Sequence, residues 1–307
     1  MSPYSIIIPV LNGIQSLESL ILGLKGHLDK VIFIDSGSHD GSSEFLNRTG
    51  MRVLKIPFGS FNHGATREWA RKKVNSEVVV FMTQDAIPIT PHAINLLVEA
   101  VLSGRADLAY GRQFPRLNSS FFERYPREFN YPEYSHMRSL GDVKLYGSYT
   151  FFCSDSWAAY SQMALDRVGG FEATLSHEDY FTVAKILNNG GRIAYVAEAG
   201  VIHSHKYSLW QDFQRYFDAG YVRAVNPWVT KLVGPAENHG SRFFTSMLKR
   251  LAKEDPKLIP YALIQTLTKW LGYRIGYFCF RGPTWLKKIL SGQSYYFDSK
   301  YYEPGKN

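Results

Sequence analysis

The chain has 307 residues, 45% of them apolar, enough for one large core or a domain with an appendage and too apolar for a disordered protein. Its two cysteines, Cys153 and Cys279, supply neither a disulfide framework nor a metal-knuckle spacing, which points to a reducing cytoplasm, and no uncharged apolar run approaches the roughly 20 residues of a membrane span. Residues 223–307 hold 14 of the 35 Lys and Arg against 5 of the 27 Asp and Glu, so the net charge of +8 is confined to the last quarter of the chain and points to an anionic partner there: headgroups, lipid phosphates or nucleic acid.

The leading residues, MSPYSIIIPVL, lack a positive segment and are interrupted by Pro9, so they read as a first strand over 4–9 rather than a targeting peptide. A turn at Asn12-Gly13 leads into an amphipathic helix to about residue 27. A second strand over 30–34 ends in Asp35-Ser36-Gly37-Ser38, with Asp40 or Ser42 placed to cap the next helix. A third strand over 51–56 precedes a loop at 59–63 and a helix from about 65 to 74, and a fourth spans 78–82. Strands and helices alternating at this spacing imply a parallel sheet with right-handed crossovers, making the first ~110 residues a Rossmann-like nucleotide-binding half. The first strand is followed by PVLNGI and not by GxGxxG, so a pyrophosphate seated on a glycine-rich helix amino end is not supported.

The run VVVFMTQDAIP, residues 78–88, is the stretch around which the rest is arranged. In open α/β sheets ligands bind beyond the carboxyl ends of the strands, which is where Asp85 falls, so its carboxylate is placed to meet a phosphate-bound metal; capping a helix from an ordinary loop is the competing role. Asp35 reaches the same edge and could accept from a pyrimidine N–H or a ribose hydroxyl, or simply close the turn before Gly37.

Further on, residues 106–111 read as a short strand, and the basic, aromatic segment 112–144 as a long loop with short helices over a binding cleft. Residues 151–160 (FFCSDSWAAY) read as strand and turn before a helix at 162–168, broken by Gly169-Gly170. Ser176-His177-Glu178-Asp179 opens a helix to about 188, where two carboxylates serve either as caps favoured by the helix dipole or, at a cleft, as a general base. After a strand at 192–196 comes His203-Ser204-His205; in a strand both imidazoles share a face, and near Asp85 they would complete a divalent metal site, although such pairs are also found as structural or surface residues.

Taken together, IIIPVLNG, IDSGSHDGS, FNHGATR, FMTQDAIP, GGF with EDYF, and VIHSH resemble the inverting family 2 glycosyltransferases of GT-A fold, over roughly residues 4–222. FNHG, TQDA, FFCSDSWAAY and HSHKYSL are similar to bacterial rhamnosyltransferases that use dTDP-β-L-rhamnose in cell-surface polysaccharide synthesis. The resemblance implies a mixed α/β sheet flanked by helices over 1–222 and transfer of L-rhamnose to a hydroxyl of a lipid-linked saccharide acceptor, with a UDP-sugar as the alternative donor; residues 223–307 read as a helical basic-aromatic extension. It places Pro9, Asn12, Asp35 and Arg67 around the thymine and ribose, Gln84 and Asp85 at the ribose, diphosphate and metal, Asp179 as the base, and His203, then His205, as metal ligands. The family's Asp-x-Asp is here Thr83-Gln84-Asp85, so Mg2+ or Mn2+ would be held by one carboxylate with histidine, and Arg or Lys side chains would share the diphosphate's charge.

In the extension, KWLGYRIGYFCFRGPTWLKKIL interleaves aromatics with cations, the pattern of a segment parked on an anionic bilayer, here the inner face of the cell membrane. Packing against the catalytic domain, or against a second copy in a homodimer, is the alternative. A non-catalytic nucleotide-sugar-binding scaffold of the same fold is disfavoured by the intact Glu178-Asp179 and His203-Ser204-His205, and no recognition motif supports nucleic-acid binding.

Overall fold

The computed structural model describes residues 2–57, 59–233 and 238–303. The chain divides into two compact units, one formed by residues 1–141, 151–172 and 179–205, the other by 142–150, 173–178 and 206 onward. Of the expected extension, residues 234–237 and 304–307 lie outside the described residues.

The first unit is built on a nine-stranded sheet: β1 (Tyr4–Val10), β2 (Val31–Asp35), β3 (Arg52–Lys55), β4 (Val78–Met82), β5 (Ile87–Pro88), β6 (Leu108–Phe114), β7 (His136–Arg138), β8 (Trp157–Ser161) and β9 (Ile193–Ile202). The order is β3-β2-β1-β4-β8-β6-β9-β5, with β7 added to β9. Every residue of β2 and of β4 is buried, the signature of strands covered on both faces. β1, β2, β3 and β4 run parallel as the alternation predicts, whereas β8 enters antiparallel between β4 and β6, so the whole sheet is mixed. Of the segment 151–160, expected as strand and turn, strand forms only from Trp157, and Phe151 closes a 3-10 turn that begins at Gly147. Ile6, Ile8, Phe33 and Val80 pack with Leu17, Leu20, Ile94 and Leu97 from the helices Ile14–Gly23 and His92–Leu102, each such side chain contributing about 1.5–3 kcal/mol by burial.

Two registers aim the carboxyl ends of these strands. β6 and β9 pair in parallel with a shift at Gly111/Arg112. A Cβ on Gly111 would lie 2.1 Å from the Ala199 carbonyl and 2.2 Å from the Trp157 indole nitrogen, so only glycine admits this approach. The pairing reaches Phe114 and Ile202, and the His203 N–H then donates to the Phe114 carbonyl at 2.8 Å. The two-residue β5 runs antiparallel to β9, pairing Ile87 with Ile202 and Pro88 with Val201. Asp85 stands two residues before Ile87, in a turn closed by the Ala86 N–H on the Thr83 carbonyl, and His203 follows directly on Ile202.

The second unit begins ahead of the expected boundary at 222/223, because the helix Leu209–Val225 lies along the helix Ile259–Cys279. Ser208 and Gln211 close a reciprocal capping box at its start. Three glycines let the two helix backbones touch: a Cβ on Gly220 would lie 2.0 Å from the Tyr273 carbonyl, on Gly272 2.4 Å from that of Phe213, and on Gly276 2.0 Å from that of Phe217. With Gly272 and Gly276 turned inward, the opposite face of the Ile259–Cys279 helix exposes Leu263, Ile264, Leu267, Trp270, Leu271 and Phe278. Arg274 lies on that face over the rings of Trp270 and Phe278, at 5.9 and 4.9 Å. Residues 256–297 contain six Lys and Arg and no acidic residue. Among the described residues no helix is long and apolar enough to cross a membrane.

Asp218, on the Leu209–Val225 helix, is only 3% exposed. One carboxylate oxygen accepts from the Gly292 N–H at 3.1 Å, and the other has no hydrogen-bond partner among the described residues. Burial pushes its carboxyl up to about 7, against the opposing pull of the Ser291 and Gly292 hydrogen bonds.

Candidate active site

The loop after β1 meets the β2–helix turn through a row of side-chain acceptors. The N–H of Leu11 donates to Gln84 Oε1 (2.9 Å), that of Asn12 to Ser38 Oγ (3.0 Å), that of Gly13 to Ser42 Oγ (2.9 Å), and that of Ile14 to Asp40 Oδ2 (3.0 Å). The backbone donors that would cradle a pyrophosphate in a dinucleotide-binding turn are thus already bonded, in line with the missing glycine fingerprint. Gln84 also donates to the Leu11 carbonyl at 3.0 Å, so its amide braces β4 to β1 in both directions. A Cβ on Gly13 would lie 2.5 Å from Gln84 Oε1, which explains the glycine. Asn12 takes a left-handed conformation, φ 49°, and accepts from the His39 N–H at 2.9 Å.

A cleft of about 520 Å3 opens here, lined by Asn12, Gly13, Gln84, Asp85, Arg116 and Leu117 among others. Asp85 forms its chemical centre. His203 Nε2 lies 3.5 Å from Asp85 Oδ1, His205 Nε2 lies 3.5 Å from Asp85 Oδ2, and the two imidazole nitrogens are 3.0 Å apart. Neighbouring donors around one cation with bonds of about 2.1 Å are roughly 3 Å apart, so the three side chains fit a shared divalent ion without large movement. Burial acts to raise the Asp85 carboxyl, but the hydrogen bond and charge of His203 and the charge of His205 outweigh it and hold the carboxyl well below the usual carboxylate range. The histidines lie beyond the end of β9 at Ile202 and not within a strand as the sequence suggests; the β5–β9 register nevertheless delivers both to Asp85.

The partners of this cluster are residues that sequence reasoning does not single out. Buried Gln113 faces His203 Nδ1 at 3.0 Å and donates to Ser154 Oγ at 2.9 Å, fixing the ring so that Nε2 points at Asp85. Arg116 Nη2 donates to Asp85 Oδ2 at 3.1 Å, while the Arg116 N–H donates to the fully buried Ser204 hydroxyl at 3.1 Å. Both come from the 112–144 segment, whose basic, aromatic composition was the one available signal.

The other expected site residues are placed differently. Pro9 lies within β1 beside Ile34, Asp35 is buried and accepts from the Ser38 N–H at 3.0 Å, and Arg67 is buried 3.5 Å from Asp155, stacked over Phe81. None of the three lines this cleft. Asp35 closes the turn before Gly37 through that hydrogen bond, and Arg67 pairs with a buried carboxylate on the segment before β8.

Asp179 stands in the first turn of the helix Glu178–Asn188, half-buried, its carboxylate accepting from the Tyr180 N–H at 2.7 Å. Burial first, then the charges of Asp155, Cys153 and Asp179, push the Tyr160 phenol well above its ordinary value. Asp179 is outside the Asp85 cluster and does not line the cleft.

Residues 5–169 match the family described as Glycosyl transferase family 2. The chain belongs to that family. Over 278 residues it is 37% identical to the O-antigen chain rhamnosyltransferase RfbN of Salmonella typhimurium, covering 89% of this chain and 88% of the relative. It is 38% identical over 249 residues to the O-antigen chain rhamnosyltransferase WbaN of Salmonella anatum, covering 80% and 79%. Among solved structures, the mannosyltransferase PcManGT of Pyrobaculum calidifontis, in complex with GDP-Man and Mn2+, superposes with a TM-score of 0.58 at 16% identity over 89% of this chain and 86% of its own. The S. aureus protein TarS, residues 1–349 with UDP-GlcNAc, gives 0.56 at 14% identity over 92% of both chains. At these identities the structural likeness establishes the fold, which is GT-A, and family membership establishes a glycosyltransferase.

Proposed function

We propose that this glycosyltransferase moves L-rhamnose from dTDP-β-L-rhamnose to a hydroxyl of a saccharide acceptor during O-antigen or related cell-surface polysaccharide synthesis. The relatives RfbN and WbaN, similar along most of both chains, support the sugar and the pathway class. The observation that carries the chemistry is the cluster of His203 and His205 on Asp85, the carboxylate that lines the cleft.

In this reading Asn12 and Gln84 border the nucleotide. Asp85, His203 and His205 hold the divalent cation, and two imidazoles beside a single carboxylate favour Mn2+ over Mg2+, whose preference is for oxygen. Once bound, the cation offsets the charge gathering on the diphosphate as it leaves. Asp179 acts as the base. The acceptor oxygen bonds to the anomeric carbon as the bond to the diphosphate breaks, and the hydroxyl proton passes to the Asp179 carboxylate, so the anomeric configuration inverts.

The acceptor is inferred to be linked to a lipid diphosphate, with the enzyme held peripherally on the inner membrane face. Support comes from the outward apolar face of the Ile259–Cys279 helix, from Arg274 upon that face, and from the excess of Lys and Arg over residues 256–297. A two-fold contact between copies through this face would oppose like charges, which favours an anionic bilayer over a dimer.

Calorimetry with dTDP-rhamnose, UDP-sugars and GDP-sugars, each with and without Mn2+, tests the donor and the metal together. Preferential binding of dTDP-rhamnose that tightens with Mn2+ is expected. A preference for a UDP- or GDP-sugar overturns the donor, and binding indifferent to Mn2+ overturns the metal.

A further inference from the structure

We propose that Arg116 is an exchangeable counter-charge: it neutralises Asp85 while the cation position is free, and transfers to the donor's diphosphate when a divalent ion joins Asp85, His203 and His205. The inference rests on the metal reading of that cluster and adds a role for a residue outside it.

Four observations carry it. First, Arg116 and the expected metal compete for the same atom. The guanidinium donates to Asp85 Oδ2 at 3.1 Å, and His205 Nε2 faces that same oxygen at 3.5 Å. A divalent ion between Asp85 and the histidines would stand next to the guanidinium, and two cations so close repel strongly inside a partly buried site. Second, only the side chain of Arg116 is free to respond. Its backbone N–H is tied to the hydroxyl of Ser204, which is fully buried between the two histidines, and the Arg127 guanidinium donates to the His203 carbonyl at 2.9 Å. The Arg116 side chain, in contrast, is 52% exposed, while that of Asp85 is 19% exposed. The anchor of the arginine is thus fixed relative to the ligands while its head can swing.

Third, Arg116 is the cationic side chain among the residues lining the cleft, and Asp85 the anionic one. A nucleoside diphosphate brings two to three negative charges into this space, and arginine's planar fork matches phosphate oxygens two at a time. Fourth, the backbone donors of residues 11–14, which in a dinucleotide-binding turn would take up that charge, are bonded to Gln84, Ser38, Ser42 and Asp40. The charge has to be met by something else on the cleft wall. Arg116 is already beside it, on the rim next to Leu117.

The exchange makes metal and donor binding cooperative. The ion displaces the arginine, the displaced arginine grips the diphosphate, and the metal-free enzyme avoids an uncompensated carboxylate. It also gives opposite signs for one substitution. Arg116→Gln, titrated with Mn2+ alone by calorimetry, is expected to bind the ion several-fold more tightly than the parent chain, because nothing competes for Asp85. The same variant titrated with dTDP at saturating Mn2+ is expected to bind at least tenfold more weakly. Arg116→Lys, which keeps the charge without the fork, should fall between the two for both ligands. An arginine that only props up its loop would weaken both ligands together, and that result, or no change in either, overturns the proposal.

A third titration separates this from failure of the underlying reading. If Asp85→Asn binds Mn2+ as well as the parent chain, the metal is not held at Asp85, and the cluster's assignment falls together with the exchange. If Asp85→Asn loses the ion and Arg116→Gln shows same-sign changes, the cluster stands and the exchange alone is wrong.

Discussion

The two units solve opposite problems with their apolar residues. In the first, apolar side chains turn into both faces of the mixed sheet, and the polar groups gather at the carboxyl ends of β4, β6 and β9. There nearly every one has a partner, from the Gln84 clamp on Leu11 to the Gln113 contact with His203. In the second, close glycine contacts consume one face of the Ile259–Cys279 helix and leave large apolar side chains on the other. A convergent set of charged and polar groups suits a small, highly charged ligand. A broad apolar face bordered by cations suits an extended anionic surface. Chemistry and attachment are therefore expected to respond to different substitutions.

The sharpest way to break this division is Asp179→Asn. Loss of the proposed base should lower the transfer rate by about 10³-fold or more, with dTDP affinity measured by calorimetry and vesicle flotation both unchanged. Retention of most activity would remove Asp179 as the base.

Next in size is a pH effect confined to the second unit. The buried Asp218 carboxyl holds its proton up to about pH 7 in the folded chain and releases it near pH 3.8 when unfolded. Between those values the folded state binds more protons, so this group subtracts from stability as pH rises, and the full penalty applies above about pH 7. Asp218→Asn should remove it, stabilising the chain by on the order of 2–4 kcal/mol at pH 8 and hardly at all at pH 4, as read from thermal unfolding at the two pH values. An equal shift at both would show that ionisation is not the cause.

Leu267→Glu combined with Leu271→Glu tests the outward face. Flotation with anionic vesicles should weaken by about 10–100-fold while transfer to a soluble acceptor is unaffected. Unchanged flotation would return that face to a protein partner. The smallest effect sharpens the first unit: Gln113→Ala should weaken Mn2+ binding by about tenfold, because the His203 ring loses the contact that orients it.

The strands and the pivotal position of Asp85 were legible in the sequence because a buried parallel strand writes itself as an unbroken apolar run that ends where the chain turns polar. The His203-Ser204-His205 motif was also visible, though the strand invoked for it stops at Ile202, and what unites it with Asp85 is the register of β5. The sequence could not reveal Arg116 or Gln113. Each is one of several polar residues in an aperiodic segment, and its importance depends on pairings with residues nearly ninety positions away. Arg67 shows the same lesson in reverse. Within FNHGATR it reads as a residue lining the thymine and ribose pocket, and nothing in the sequence signals that Asp155 lies 3.5 Å from it as a buried partner. Where the second unit begins was obscured as well, since backbone contact between helices depends on glycines that carry no periodic signal of their own.

The two-residue strand β5 gives the cleft an unusual kind of fragility. Side chains around Asp85 can be exchanged one at a time with graded losses, but the meeting of Asp85 with two imidazoles depends on counting: two positions from Asp85 to Ile87, and one from Ile202 to His203. Inserting or deleting a single residue in either stretch would change that count and turn the wrong side chains toward one another. For this enzyme, a frame-preserving indel three nucleotides long is a more efficient way to extinguish the site than most missense changes within it.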